Sequence, residues 1–327
     1  EDAGGTWVYR RDEDSRATWS VGDRPVPARP DAASARFGPH VVELGRREGG
    51  ILARMEIAVA PWDDVEVRRI TLVNEGDLPR RIRVTTATEV VLAPVQEVRR
   101  HPAFARLFVE SEILQDLDGI HVRRRPKSAE AAPLHLVQCL IGGGAAAGPR
   151  SFETDRGRFL GRHGTDRDPA ALRLGALTGT SGATLDPILA LSTLVSIPPG
   201  AQATLILLTG VAGSRDRAIG LVEAHRGAGG AEAVLEQARR ERERALRDLG
   251  MAPTDARLAH DLLSACLAPY HAVRADPGSL DVPGRPQSGL WGHGISGDLP
   301  IVLLRITTGS DLTVALDALR LHAYLND

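Results

Sequence analysis

Between Leu290 and Pro300 the chain reads Leu-Trp-Gly-His-Gly-Ile-Ser-Gly-Asp-Leu-Pro. Gly292, Gly294 and Gly297 fall within six positions, and glycine lets the backbone adopt left-handed turns and lets a ligand approach it closely. Trp291 offers a flat apolar face with one polar N–H, a surface on which a sugar ring stacks. Ser296 and Asp298 add a hydroxyl and a carboxylate, both able to bind sugar hydroxyls. A helix starting here would also present unpaired N–H groups to an anion such as phosphate. The same residues suit a plainer arrangement, with Asp298 as a helix N-cap and Ser296 as a turn residue.

Other groups have weaker patterns. His101 and His135 have no second ligand at a helical or hairpin spacing, so no metal site is expected. Asp12, Glu13 and Asp14 form a carboxylate cluster that reads as a solvated strand end rather than a catalytic pair. Arg156, Arg158 and Arg162 resemble an anion clamp, but Asp155, Glu153 and Asp166 lie nearby as structural partners. Gly142 to Gly148 lacks the Lys-Ser/Thr ending of a phosphate loop and reads as a surface loop. A sandwich enzyme working by acid–base chemistry would need a His and a Glu on one concave sheet, and no such pair can be placed from spacing alone.

The elements that must position these residues change character along the chain. Ile51, Ala53, Met55, Ile57 and Val59 alternate, as do Ile82, Val84, Thr86, Thr88, Val90 and Leu92, which predicts half-buried strands. Val65-Glu66-Val67 and Ile70-Thr71-Leu72 change parity across Arg68-Arg69, which predicts a bulged or bent strand. Asn74-Glu75-Gly76-Asp77 supplies a turn, and Leu205 to Val211 reads as a strand buried on both faces. Many such strands predict a sandwich of two antiparallel sheets. After residue 228 the period becomes helical. Val234, Leu235, Ala238, Ala245, Leu246 and Leu249 share one stripe, with Gly250 as the helix stop. Thr254 is the expected cap of a second helix through Leu267, stopped near Pro269. A Gly/Pro-rich loop from Asp276 to Ser288 precedes two more expected helices. One starts near Asp298 or Leu299 and carries Ile301 to Leu304; the other runs from Ser310 or Asp311 to Ala323.

Composition limits the function classes. The 327 residues carry a formal charge of −2, with 43% hydrophobic and 25% charged residues, the profile of an ordinary globular chain. Arginines such as Arg239, Arg240, Arg242 and Arg244 alternate with glutamates, which suits a solvated helix face and gives no stripe for nucleic acid. The two cysteines, Cys139 and Cys266, are too few for a disulfide framework and fit a reducing, cytoplasmic setting as small apolar residues. No apolar run reaches the ~18 residues of a membrane span. The chain starts at Glu1-Asp2-Ala3 and stops at Asp327 amid unpartnered apolar stripes, so it is expected to be a piece of a longer protein.

Residues 290–306, Leu-Trp-Gly-His-Gly-Ile-Ser-Gly-Asp-Leu-Pro-Ile-Val-Leu-Leu-Arg-Ile, closely resemble the stretch that opens the helical barrel of cyclic β-1,2-glucan synthases, whose carboxy-terminal region belongs to the glycoside phosphorylases of glycoside hydrolase family 94. Further segments match in order: Tyr9 to Glu13 with Trp19-Ser20, Asp63 to Leu72, His101 to Phe104 with Leu107 to Glu110, and Arg123 to Pro126. Phe152 to Arg156 with Phe159 to Arg162, and Leu185 to Ile188, complete the set.

The resemblance implies a galactose mutarotase-like β-super-sandwich over residues 1–228, a helical linker over 229–252, and the start of an (α/α)6 catalytic barrel over 253–327. It implies inverting phosphorolysis of a β-glucan, giving α-glucose 1-phosphate, or control of chain length in cyclic glucan synthesis. Phosphate is then a co-substrate, no cofactor is needed, and a single protonated carboxylic acid suffices. That acid is expected beyond Asp327. By carry-over, Asp298 binds sugar hydroxyls near the cleaved bond, Gly294, Ser296 and Gly297 shape that wall, and Trp291 and His293 form its rim. A homodimer and a membrane-attached parent facing the cytoplasm are further implications. The competing expectation is a non-catalytic carbohydrate-binding or structural sandwich.

Overall fold

Period-two patterning produces strands throughout the first two thirds of the chain. The computed structural model describes residues 5–26, 29–126, 133–142, 147–267, 278, 284, 286–299, 301–309 and 312–326. Residues 143–146 of the glycine loop, Pro269, and most of the expected loop from Asp276 to Ser288 lie outside them.

The strands are β1 (Thr6–Asp12), β2 (Thr18–Ser20), β3 (Ala32–Phe37), β4 (Val42–Glu48), β5 (Ile51–Val59), β6 (Val65–Asn74) and β7 (Arg80–Glu89). Two short helices follow, α1 (Val95–Arg100) and α2 (Pro102–Arg106). Then come β8 (Val109–Leu114), β9 (Gly119–Arg124), β10 (His135–Gly142), β11 (Ser151–Asp155) and the short helix α3 (Arg156–Leu160). The last strands are β12 (Gly182–Ala183), β13 (Pro187–Ile197) and β14 (Gln202–Ala212).

They form a five-stranded sheet, β11-β13-β7-β1-β2, and a nine-stranded sheet, β12-β8-β9-β10-β14-β6-β5-β4-β3. Ladders within both are antiparallel. Val8, Ile82, Val84 and Leu191 from the first meet Ile51, Ile70, Leu72 and Leu205 from the second in the main core. Each such side chain contributes roughly 1.5–3 kcal/mol by leaving water. The expected two-sheet sandwich is thus present.

Of the bulged or bent strand expected at residues 65–72, the bulge is absent. β6 pairs with β5 and β14 in unbroken register, so it has no bulge. Ile70 and Leu72 face the inter-sheet core, while Val65 and Val67 face outward into a second apolar layer. The parity change reflects a strand in continuous register that is covered on different faces at its two ends. β14 is buried on both faces, as expected, because Leu205 and Leu207 point inward while Leu208 joins the outer layer. Buried Cys139 also sits there, and burial pushes its thiol up to about 12, so it behaves as an inert apolar group.

The outer layer consists of helices, one of which the sequence reading missed. α4 (Arg215–His225) is capped by Ser214, whose Oγ accepts from the Arg217 N–H at 3.3 Å. Its Ala218 and Val222, one turn apart, are fully buried on the sheet. α5 (Gly230–Asp248) adds Ala231, Val234 and Ala238 to the same layer.

The chain divides into two units, Glu1–Ala238 and Arg239–Asp327, so the division falls inside α5. In the second unit α5 ends in a Schellman motif. The Met251 N–H reaches Leu246 O at 2.8 Å, the Gly250 N–H reaches Arg247 O at 3.0 Å, and Gly250 takes φ +63°. α6 (Pro253–Leu267) starts one residue before the expected cap, so Thr254 lies inside it. The cap interaction comes from Asp255, whose Oδ2 accepts from the Ala252 N–H at 2.8 Å. α7 (Leu312–Asn326) supplies Leu321 and Tyr324, which pack with Leu246, Met251, Ala256 and Ala259.

Ile301 to Leu304 form no helix, contrary to expectation, and Leu303 is 82% exposed. Four consecutive apolar residues give no amphipathic stripe, and a short helix is stable only when one face is packed.

Candidate functional site

The glycine-rich stretch after α6 folds as a tight hook. Gln287–His293 make two turns of 3₁₀-helix, closed by Gly294 at φ +73°. The chain then reverses and Gly297 takes φ +75°. A Cβ on Gly297 would lie 3.0 Å from Gln287 Cγ and 3.1 Å from Leu290 Cδ1, so this position requires glycine both for its backbone and for its space.

The hook brings together residues that are distant in the loop. Gln287 Nε2 donates to Ser296 O at 2.8 Å and to Asp298 Oδ1 at 3.0 Å. Trp291 Nε1 donates to the same Ser296 carbonyl at 3.3 Å. Ser296 Oγ accepts from the Asp298 N–H at 3.3 Å. Trp291 is 63% exposed, so its ring is available for stacking. Asp298 Oδ2 accepts no hydrogen bond among the described residues, which leaves it free for a hydroxyl donor. His293 and Gly294 lie exposed beside this group, and among the described residues His293 makes no side-chain hydrogen bond to it.

Two readings of this stretch are corrected. Asp298 is not a helix N-cap, because residues 301–307 are not helical. For the same reason no helix N-terminus here presents N–H groups to an anion. Gln287, which sequence reasoning passed over, is the residue that holds Asp298. Its only signal was a long amide in a loop that must fold back on itself.

The first unit holds two further polar clusters. Arg156 lies 3.2 Å from Glu89, 3.4 Å from Asp166 and 3.6 Å from Asp186, while Arg106 reaches Asp186 at 2.8 Å. The clamp reading of Arg156 therefore gives way to ion pairs within the sandwich, and Asp166 is among its partners as expected. Asp155 caps α3 through the Arg158 N–H at 3.1 Å. Burial drives the Glu89 carboxyl above its ordinary range, and Arg156 and Arg106 only partly offset this. Asp12, expected to be solvated, is buried and bonded to Arg80, while Asp14 pairs with Arg81 at 2.7 Å. Antiparallel pairing of β1 with β7 aligns these acids with the arginines.

The second cluster supplies the His–Glu neighbours that spacing could not place. His121 and His135 sit on β9 and β10, with His135 opposite Arg123 and His121 opposite Val137. His121 Nε2 and His135 Nδ1 are 3.0 Å apart, and His121 Nδ1 is 3.3 Å from Glu112 of β8. The signal was missed because the connection from Arg124 to His135 does not fix the register. Among the described residues no group of three His, Cys, Asp or Glu converges as a metal site, and no helix is long and apolar enough to cross a membrane.

Residues 1–228 match the glycosyl hydrolase 94 supersandwich domain. The chain is 32% identical over 326 residues to the cyclic beta-(1,2)-glucan synthase NdvB of Rhizobium meliloti (strain 1021), covering 99% of this chain and 12% of that protein. It is 27% identical over 221 residues to the solabiose phosphorylase of Paenibacillus borealis, covering 66% of this chain and 27% of that protein. The chain thus spans well under a third of either relative. Among solved structures, the family GH92 alpha-mannosidase BT3965 from Bacteroides thetaiotaomicron matches with a TM-score of 0.34 at 13% identity, over 69% of this chain and 28% of that one. By its supersandwich, this chain belongs to the glycosyl hydrolase 94 family.

Proposed function

We propose that the whole protein cleaves β-1,2-glucosidic bonds of a glucan by inverting phosphorolysis and that the hook from Gln287 to Asp298 forms one wall of its sugar site. The observation that carries this reading is the 99% coverage of this chain by similarity to a protein named as a cyclic β-(1,2)-glucan synthase, because that span includes the hook. The similarity to a disaccharide phosphorylase supports phosphate as the attacking group.

In this reading Trp291 stacks on a glucose ring and Asp298 Oδ2 accepts a hydrogen bond from one of its hydroxyls. Gln287 keeps Asp298 from turning away. A phosphate oxygen attacks the anomeric carbon from the face opposite the leaving group, and the glycosidic C–O bond breaks. A protonated carboxylic acid outside residues 1–327 gives its proton to the departing oxygen. Phosphate is a co-substrate, and no cofactor takes part. Residues 1–228 are the super-sandwich, 229–252 the linker and 253–327 the start of an (α/α)6 barrel. A cytoplasmic location and a homodimer belong to the same reading.

The test is Asp298→Asn and Trp291→Ala in the whole protein, with linear β-1,2-gluco-oligosaccharides and phosphate supplied. Loss of each hydrogen bond or stack at the reacting sugar is expected to lower kcat/KM by about tenfold or more. Unchanged turnover in both variants would remove the hook from the site.

A further inference from the structure

The outer face of the nine-stranded sheet carries a second polar pocket, of about 450 Å³, that glucan cleavage at the hook leaves unused. Its size falls within the range of small-molecule sites. Along its wall runs a linked chain of four polar side chains. Arg215 of α4 grips both oxygens of Glu112 at 2.8 and 3.0 Å. Glu112 lies 3.3 Å from His121 Nδ1, and His121 Nε2 lies 3.0 Å from His135 Nδ1. The two rings are within 10° of parallel with centroids 5.2 Å apart. With the nitrogens 3.0 Å apart, that is an edge-to-edge hydrogen bond rather than a face-to-face stack.

The chain fixes where the protons sit. An ionised carboxylate only accepts, so His121 Nδ1 carries the hydrogen that faces Glu112. In a neutral ring His121 Nε2 is then an acceptor, and His135 Nδ1 must donate to it. His135 Nε2, on the far side of its ring, is left unprotonated. It has no partner among the described residues. Burial holds both rings below their ordinary pKa, and Arg215 and Arg123 reinforce this, so both stay neutral at pH 7. Glu112 is the one facing group that opposes it at His121.

Charge decides the ligand class. The pocket is lined by Glu110 and Glu112 against Arg123 and Arg215, with Ser111 between the acids. The carboxylates and guanidiniums balance, and the free nitrogen is an acceptor. An oxyanion would face that lone pair, and a metal ion would find both His121 nitrogens occupied. A neutral hydroxyl donor satisfies the site. We propose that this pocket binds a glucose unit of a glucan chain, one of whose hydroxyls donates to His135 Nε2. Only the choice of glucan as the sugar rests on the reading given above.

The test uses the 327-residue chain and long-range ¹H–¹⁵N spectra of its imidazoles at pH 7.5. D-glucose, a linear β-1,2-gluco-oligosaccharide and inorganic phosphate are titrated separately. The expected result is an unprotonated His135 Nε2 that shifts saturably with a sugar probe and not with phosphate. His135→Phe should abolish saturable sugar binding, read by calorimetry. Glu112→Leu, which releases the fixed tautomer, should weaken it about tenfold, as for one lost hydrogen bond. A protonated His135 Nε2 in the free chain would overturn the proposal. So would a response to phosphate alone, no saturable response to either sugar, or undiminished affinity in folded His135→Phe. Phosphorolysis is not measured, so failure here is separable from failure at the hook.

Discussion

Gln287 Nε2 donates to Asp298 Oδ1 at 3.0 Å while also holding the Ser296 carbonyl at 2.8 Å, so a single amide clamps both limbs of the hook. Asp298 Oδ2 accepts no hydrogen bond among the described residues. Gln287→Leu should therefore release Asp298 and lower kcat/KM of the whole protein for glucan by about tenfold, the effect of one lost hydrogen bond. Steady-state kinetics check this. Thermal unfolding of the chain should stay unchanged, because the hook lies outside the sandwich core; equal losses of activity and folding would show a merely structural role.

Gly297 gives an independent probe of the same geometry. Its φ of +75° costs an L-residue about 1–2 kcal/mol, and its Cβ would press on Gln287 Cγ at 3.0 Å. Gly297→Ala should displace Gln287 and reproduce the kinetic loss of Gln287→Leu. The double variant should be little worse than either single one, since both break one contact. Additive losses would show that the two residues act separately.

Deep in the sandwich, Glu48 lies 3.0 Å from Arg46 and 3.8 Å from Arg10, whose side chains are 2% and 0% exposed. Arg10 Nη1 also donates to Ile51 O at 3.0 Å. Burial pushes the Arg10 guanidinium down to about 10, and Glu48 counteracts it. Glu48→Ala removes the carboxylate beside two buried cations and should cost about 3–5 kcal/mol in urea unfolding. A loss below 1 kcal/mol would mean that water reaches this site.

The histidine pair predicts a pH dependence of stability. In the fold both rings titrate below their ordinary 6.5, His121 through burial and then His135, His135 through burial and then Arg123 and Arg215. The unfolded chain therefore takes up protons first as pH falls below 6.5. The stability is fully present above that value and declines towards the lower folded pKa. Glu110 and Glu112 face the pair with the two arginines. Urea midpoints measured between pH 8 and 5 should fall less steeply in the His121→Asn, His135→Asn double variant. Parallel curves would contradict the assignment.

The sequence revealed what depends on local pattern. Alternation marked β5 and β7, the unbroken apolar run marked β14, and Gly250 marked the end of α5. What it hid depends on distant partners. The parity change in β6 resembled a bulge because the helices that cover Val65 and Val67 come roughly 150 residues later, too far along the chain for the local pattern of β6 to show them. The Ser214 cap and the buried pair Ala218 and Val222 were a weak helical pattern among charged residues. His121 and His135 meet only through sheet register. At the hook, the glycines and Asp298 drew notice by type, whereas Gln287 matters only through where the fold carries it.

The central claim is phosphorolysis of a β-1,2-glucan by the whole protein. The most direct measurement incubates that protein with linear β-1,2-gluco-oligosaccharides, with and without inorganic phosphate, and follows the anomeric product by ³¹P and ¹H NMR. α-Glucose 1-phosphate formed only when phosphate is present is the predicted result. Free glucose formed at the same rate without phosphate, or no cleavage by folded protein, would contradict it.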